Sequence, residues 1–423
     1  MSSNHLDTPI AHVATWERPA IATGKGETYL VVRVSAARAG HSSRVPIDLA
    51  LVIDRSGSMA GDELGLAKAG VRTALGLLHP EDRASLIAYD HEVTVLAPLA
   101  HLEPGARRML DAELDRLEAR GSTNLFGGWM AGCESITSGR DRVGDRRLKR
   151  TLLLTDGLAN VGTTEPREIA HHAAQLRVRG VSTSTLGVGT QFDEALLSGM
   201  AEAGGGNFSW VENPRQLPAF FARELGELLT VAALDARLRL TLPKGLRATL
   251  LNPYPVDRVG KEITVQLGAL PAGLTLDLVF SVTGRFAELV PVAPLTLELD
   301  WAEVDSDRRR TIPVSVSPIQ VVTPVAFKRT RRDPDASEQV ARMRAEQAKR
   351  EAITHYRAGR NEAALGILNE ARDFAMSAPL AAPGEMLREL TDLMEVDPSA
   401  PAFEGVRRRT LNDAHRRSRG REA

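Results

Sequence analysis

At 423 residues the chain exceeds what one ordinary hydrophobic core serves, so length alone calls for two or three domains. With 43% hydrophobic and 25% charged residues and a formal net charge of −1, the composition is globular and argues against a protein built throughout for nucleic acid. A single cysteine, Cys133, excludes an internal disulfide framework, and no run approaches the roughly 18 consecutive apolar residues of a membrane span.

The first residues, MSSNHLDTPIAHVATWERPA, have neither the basic start nor the apolar stretch of a secretory signal, and a cytoplasmic location is expected. Within 1–44 the alternating ETYLVVRVSAA reads as a strand with no partner close by in sequence. We expect it to pair with strands that come much later, which makes the next unit an insertion.

From 45 to 230, short apolar runs alternate with amphipathic helical patterns, the rhythm of a parallel sheet covered on both faces. The strands are PIDLALVID, ASLIAYD, RTLLLTD, VSTSTLGVG and GNFSWV. Leu64, Ala67, Val71, Leu75 and Leu78 repeat at helical spacing, as do Met109, Leu110, Leu114 and Leu117. ASLIAYDHEVTVLAPL holds two strands joined by Asp90 and His91, too short a link for a crossover, so an antiparallel hairpin is expected at one edge.

From 231 to 324 the pattern becomes alternating and proline-rich, as in DARLRLTLP, KEITVQLGAL and LTLDLVFSV, which predicts an all-β sandwich. Residues 325–400 read as a polar linker, FKRTRRDPDASE, followed by a helical hairpin. There Ala352, Tyr356, Gly359, Ala363 and Leu368 have the spacing of one tetratricopeptide-like unit. The arginine-rich 401–423 reads as a solvated basic tail, with binding of acidic partners as the alternative. The expected class is therefore α/β: a doubly wound, mostly parallel sheet, inserted in or followed by a β-sandwich, with a C-terminal helical segment.

The chemistry concentrates in three short stretches. LALVIDRSGSM ends an apolar strand in Asp54, Ser56 and Ser58, which offer oxygens at alternate positions. RGSTNLFGGWM places Thr123 before a helix bearing Leu125, Trp129 and Ile136, and RTLLLTDG ends a second strand in Asp156. Ligands of doubly wound folds bind where loops follow neighbouring strands, and parallel neighbours would bring Asp54 and Asp156 out about 5 Å apart. Taken singly, each stretch also reads as a helix cap or a turn.

In this order and spacing, DRSGSM, GSTN and LLLTDG resemble the von Willebrand factor type A domain and its metal-ion-dependent adhesion site, over roughly Val45 to Thr230. The resemblance implies the ligand set Asp54, Ser56, Ser58, Thr123 and Asp156, with some of the contacts made through water. Hard oxygen donors without histidine or thiolate favour magnesium, with manganese as a substitute. It further implies a non-enzymatic module in which a partner protein supplies a carboxylate to an open coordination position. Movement of the last helix, within RQLPAFFARELGELLTVAAL, is also implied.

The alternative is a magnesium-dependent phosphohydrolase. That chemistry wants a second carboxylate two residues beyond a nucleophilic aspartate, and Ser56 stands there; the motifs supply no lysine, histidine or further acid for proton transfer. Inter-alpha-trypsin inhibitor heavy chains carry the same module, but about 45 residues before it leave no room for their full N-terminal domain. Gly24-Lys25-Gly26 and Gly204-Gly205-Gly206 lack phosphate-loop spacing and read as turns. Adjacent His171 and His172 diverge on a helix, Cys133 reads as packed, and Trp210 as part of a strand.

Overall fold

The computed structural model describes residues 9–37, 44–137, 146–189, 191–290, 292–306, 308–381, 383–400 and 403–420. The chain divides into two compact units, Ser43–Val231 and the flanking Met1–Ser42 with Ala232–Ala423.

In chain order come β1 (Ile10–Trp16), β2 (Ala20–Ala22) and β3 (Gly24–Ala36). An alternating series follows: β4 (Ile47–Asp54), α1 (Asp62–Leu77), β5 (Arg83–Tyr89), β6 (Val93–His101), α2 (Pro104–Arg116) and α3 (Leu125–Thr137). It continues through β7 (Leu148–Thr155), α4 (Pro166–Val178), β8 (Val181–Val188), α5 (Glu194–Ala203), β9 (Gly205–Val211) and α6 (Leu217–Leu229). Strands then dominate: β10 (Val231–Thr241), β11 (Leu246–Leu250), β12 (Val256–Val259), β13 (Glu262–Pro271) and β14 (Thr275–Phe286). After β15 (Thr296–Ala302), β16 (Arg309–Pro313) and β17 (Gln320–Val322) come α7 (Pro324–Arg329), α8 (Pro334–Arg357), α9 (Asn361–Ser377), α10 (Gly384–Glu395) and α11 (Phe403–Ser418).

The inner unit is built on a six-stranded sheet, β6-β5-β4-β7-β8-β9, parallel except for the β5–β6 pair at one edge. The hairpin link is Asp90-His91-Glu92, one residue longer than its sequence suggests. All eight residues of β4 are buried, as expected of a central strand covered on both faces. Its side chains alternate between two cores: Ile47, Leu49, Leu51 and Ile53 face one, Ala50 and Val52 the other. Helices α1 and α6 fill the first with Val71, Leu75, Phe221 and Leu225, whereas α3, α4 and α5 fill the second with Trp129, Ile169 and Leu197. Cys133 packs in that second core and donates to or accepts from Thr151 Oγ1 at 3.3 Å; burial pushes its thiol up to about 12.

In the flanking unit, β1-β3-β14-β11 form one antiparallel sheet and β12-β13-β10-β15-β16 another. β3 lies beside β14, with Leu30 opposite Phe280, and β17 adds a short parallel pairing to β2. Leu30, Val32 and Phe280 from the first sheet share one core with Leu238, Val265 and Leu299 from the second. Tyr29, Val31 and Val279 point the other way, onto Ala336, Val340 and Met343 of α8. The Gly24–Gly26 stretch opens β3 rather than forming a free turn.

Three sequence expectations are corrected here. FKRTRRDPDASE is not an extended linker: Thr323 and Asp333 accept the amides of Ala326 and Ala336, which starts α7 and α8 almost back to back. The basic tail is not solvated but forms α11, with Phe403 in the core of α8–α10 and Arg417 donating to Glu389 at 2.8 Å. Its arginines are solvated in isolation, yet carboxylates of its own chain stand ready to pair with them. In the hairpin, the inward residue is Ala364, not Ala363.

Candidate metal centre

The three motif loops leave the same edge of the inner sheet. β4 and β7 are parallel neighbours, with Ile53 opposite Leu154, so Asp54 comes level with Thr155 and Asp156 follows one residue beyond on the same edge. The loop before α3 joins them through backbone bonds: Gly57 N donates to Gly121 O at 3.0 Å, and Arg120 N to Arg55 O at 2.8 Å. Asn160, beyond β7, receives the Thr123 amide on its Oδ1 at 2.7 Å, and its own amide returns to Thr123 O at 3.1 Å.

All five predicted residues come together. Ser58 Oγ donates to Asp156 Oδ1 at 2.7 Å, and Ser56 Oγ lies 3.1 Å from Ser58 Oγ. Asp54 is fully buried, with Oδ1 accepting the Ser56 amide at 2.8 Å and Oδ2 the Thr155 hydroxyl at 2.6 Å. Gly157 borders the cluster: a methyl group there would meet Ser58 Oγ at 3.2 Å, Thr123 Oγ1 at 3.7 Å and Ser56 Oγ at 4.0 Å.

The capping alternatives fail on particular bonds. Neither Ser56 nor Gly61, the residues preceding the first turns, makes a side-chain cap. For α3 it is Asn124 Oδ1 that accepts the Gly127 amide, at 3.0 Å. This leaves the Thr123 hydroxyl, on a residue only 3% exposed, without a hydrogen bond among the described residues.

The electrostatics of the two carboxylates are those of a site that suits a cation. Burial, reinforced by the neighbouring Asp156, pushes Asp54 up to about 6 against the hydrogen bonds from Thr155 and Ser56. Burial likewise raises Asp156, opposed by Ser58 and helped by Glu63. Among the described residues no lysine or arginine pairs with either carboxylate. The donors are all oxygen, which fits a small hard divalent ion.

Asp90, His91 and Glu92 also bring ligand-type atoms within 4.8 Å of one another. They do not form a cation site, because Asp90 Oδ2 already accepts Arg55 Nε and Arg120 Nε, each at 2.8 Å. Sequence reasoning missed Thr155, Asn160 and this Asp90 cluster. Thr155 stood inside LLLTDG, but nothing in its spacing shows that its hydroxyl reaches across to the next strand.

The match to known proteins follows this geometry: residues 48–223 match the von Willebrand factor type A domain. Residues 48–223 form a von Willebrand factor type A domain. Relatives include "Uncharacterized protein YfbK" of Escherichia coli (strain K12), 28% identical over 56% of this chain and 41% of its own length. Another is "Uncharacterized protein sll0103" of Synechocystis, 27% identical over 56% of this chain and 55% of its own. The chain thus spans about half the length of these relatives. A solved von Willebrand factor type A protein from Catenulispora acidiphila has a TM-score of 0.72 at 19% identity, covering 98% of both chains, a likeness of fold. Type A domains commonly mediate protein–protein interaction. Among the described residues no helix is long and apolar enough to cross a membrane.

Proposed function

We propose that the type A domain is a non-enzymatic, magnesium-dependent protein-binding module, with the ion held by Asp54, Ser56, Ser58, Thr123 and Asp156 and a carboxylate supplied by a partner protein. The observation that carries this reading is the convergence of the Ser56, Ser58 and Thr123 hydroxyls on one side of Gly157, at the Ser58–Asp156 hydrogen bond. When bound, the ion supplies an electrophilic coordination position that a carboxylate can take, and manganese can stand in for magnesium.

The chain's own residues prepare that event. Thr155 and the Ser56 amide fix both oxygens of Asp54, and Ser58 fixes one oxygen of Asp156, so the donors need little reordering. Ser58 is exposed, which leaves the approach to the cluster open from solvent. No lysine or histidine lies within the three motifs to move a proton, which disfavours the phosphohydrolase alternative.

Calorimetric titration with magnesium tests the reading. The wild-type chain is expected to bind one ion, and Asp54→Ala to lose about 3 kcal/mol of that affinity, more than a hundredfold, while keeping its circular dichroism spectrum. Equal affinity in the variant rejects the site. Capture of an acidic partner in magnesium but not in chelator tests the second half, and turnover of phosphate esters would favour the alternative.

A further inference from the structure

We propose that Asp90 is a positioning residue for the metal centre, its carboxylate tying together the loop of Ser56 and Ser58 and the loop of Thr123 through Arg55 and Arg120. The inference rests on the cation-centre reading above. Asp90 directly follows β5, the neighbour of β4, is fully buried, and its carboxylate hydrogen-bonds to none of the five donors among the described residues.

The connections are specific. Arg55, between Asp54 and Ser56, gives Asp90 Oδ2 its Nε at 2.8 Å, and Arg120, three residues before Thr123, gives the same oxygen its Nε at 2.8 Å. Asp90 Oδ1 accepts the Glu92 amide at 2.7 Å, which fixes the turn that carries the carboxylate. Beyond Thr123, the Asn124 amide donates to Asp90 O at 2.7 Å, so one residue holds that loop on both sides of the threonine.

The remaining arms are also engaged. Arg55 Nη2 donates to Thr94 Oγ1 at 3.0 Å and Arg120 Nη2 to Glu92 Oε2 at 2.8 Å. Gly121, with φ +71°, packs so tightly on His91 that any Cβ there would collide with the imidazole. Two guanidiniums converging on one place repel unless a carboxylate lies between them, and Asp90 is that carboxylate. Groups that orient metal-holding side chains in this way typically change metal affinity by about 10- to 100-fold when lost.

Arg120 gives the clean test, because it is half exposed and its removal opens no core. In the full chain, Arg120→Ala is expected to weaken magnesium binding about tenfold or more. It should also speed amide exchange at Gly57 and Asn124 in metal-free protein, at an unchanged unfolding midpoint. Arg120→Lys, which keeps one of the two contacts, should recover part of both, and Asp90→Asn should exceed Arg120→Ala. Wild-type affinity and wild-type exchange in Arg120→Ala overturn the proposal. A wild-type chain that binds no magnesium overturns the cation reading, and the exchange rates then still decide whether Asp90 ties the loops.

Discussion

Asp54 is buried, yet a carboxylate that is to hold a cation must ionise there. Its pKa of about 6 in the metal-free fold, against an ordinary 3.8, means that the folded chain holds the proton more tightly than the unfolded one. The stability it contributes is therefore full below about 3.8 and is lost as pH rises through about 6. Between pH 4 and pH 7, metal-free wild type should lose about 2 kcal/mol relative to Asp54→Asn, read from urea midpoints. Magnesium should cancel that loss, and its binding near pH 6 should release protons. At this scale the sequence exposes a good deal: Asp54, Ser56, Ser58 and Asp156 sit where apolar strands stop and Thr123 just before an apolar helix starts, and such junctions are visible in one dimension. Thr155, Asn160 and Asp90 are not, since each acts through a neighbour that only the sheet brings near.

Helix α6 shows how an element is locked rather than merely packed. Its Glu224 is buried and accepts Ser184 Oγ at 2.7 Å and Asn207 Nδ2 at 2.9 Å, with Arg150 Nη1 3.9 Å away. Glu224→Ala removes the anion on which these groups converge, and should destabilise the domain by about 3 kcal/mol in urea unfolding, with the cost concentrated in faster exchange along α6. Long periodic elements such as α1 and β4 can be read directly from their apolar spacing. α11 cannot, because its arginines look solvated until Glu389 and Glu346 are seen beside Arg417. The short β11 and β12 escape for a different reason: four or five residues are too few for an alternation to register.

At the level of the whole chain, the cores are separate. Every residue in the two cores of the inner sheet lies within Ser43–Val231, and the core of the two antiparallel sheets draws only on the flanking segments. Residues 43–231 expressed alone are therefore expected to melt cooperatively and to bind magnesium as the full chain does, measured by circular dichroism and calorimetry. A molten product would show that the flanking unit is needed.

The flanking unit has no such independence in time. Glu27 of β3 meets Ser281 of β14, 254 positions later, so the first strand leaves the ribosome long before its neighbour exists. At about 5–20 residues per second, that is a wait of roughly 12–50 s with the apolar side chains of Leu30, Val32 and Val34 uncovered. The inner domain has time to finish folding during that interval. Nascent β3 is thus the stretch where a chaperone has most to shield.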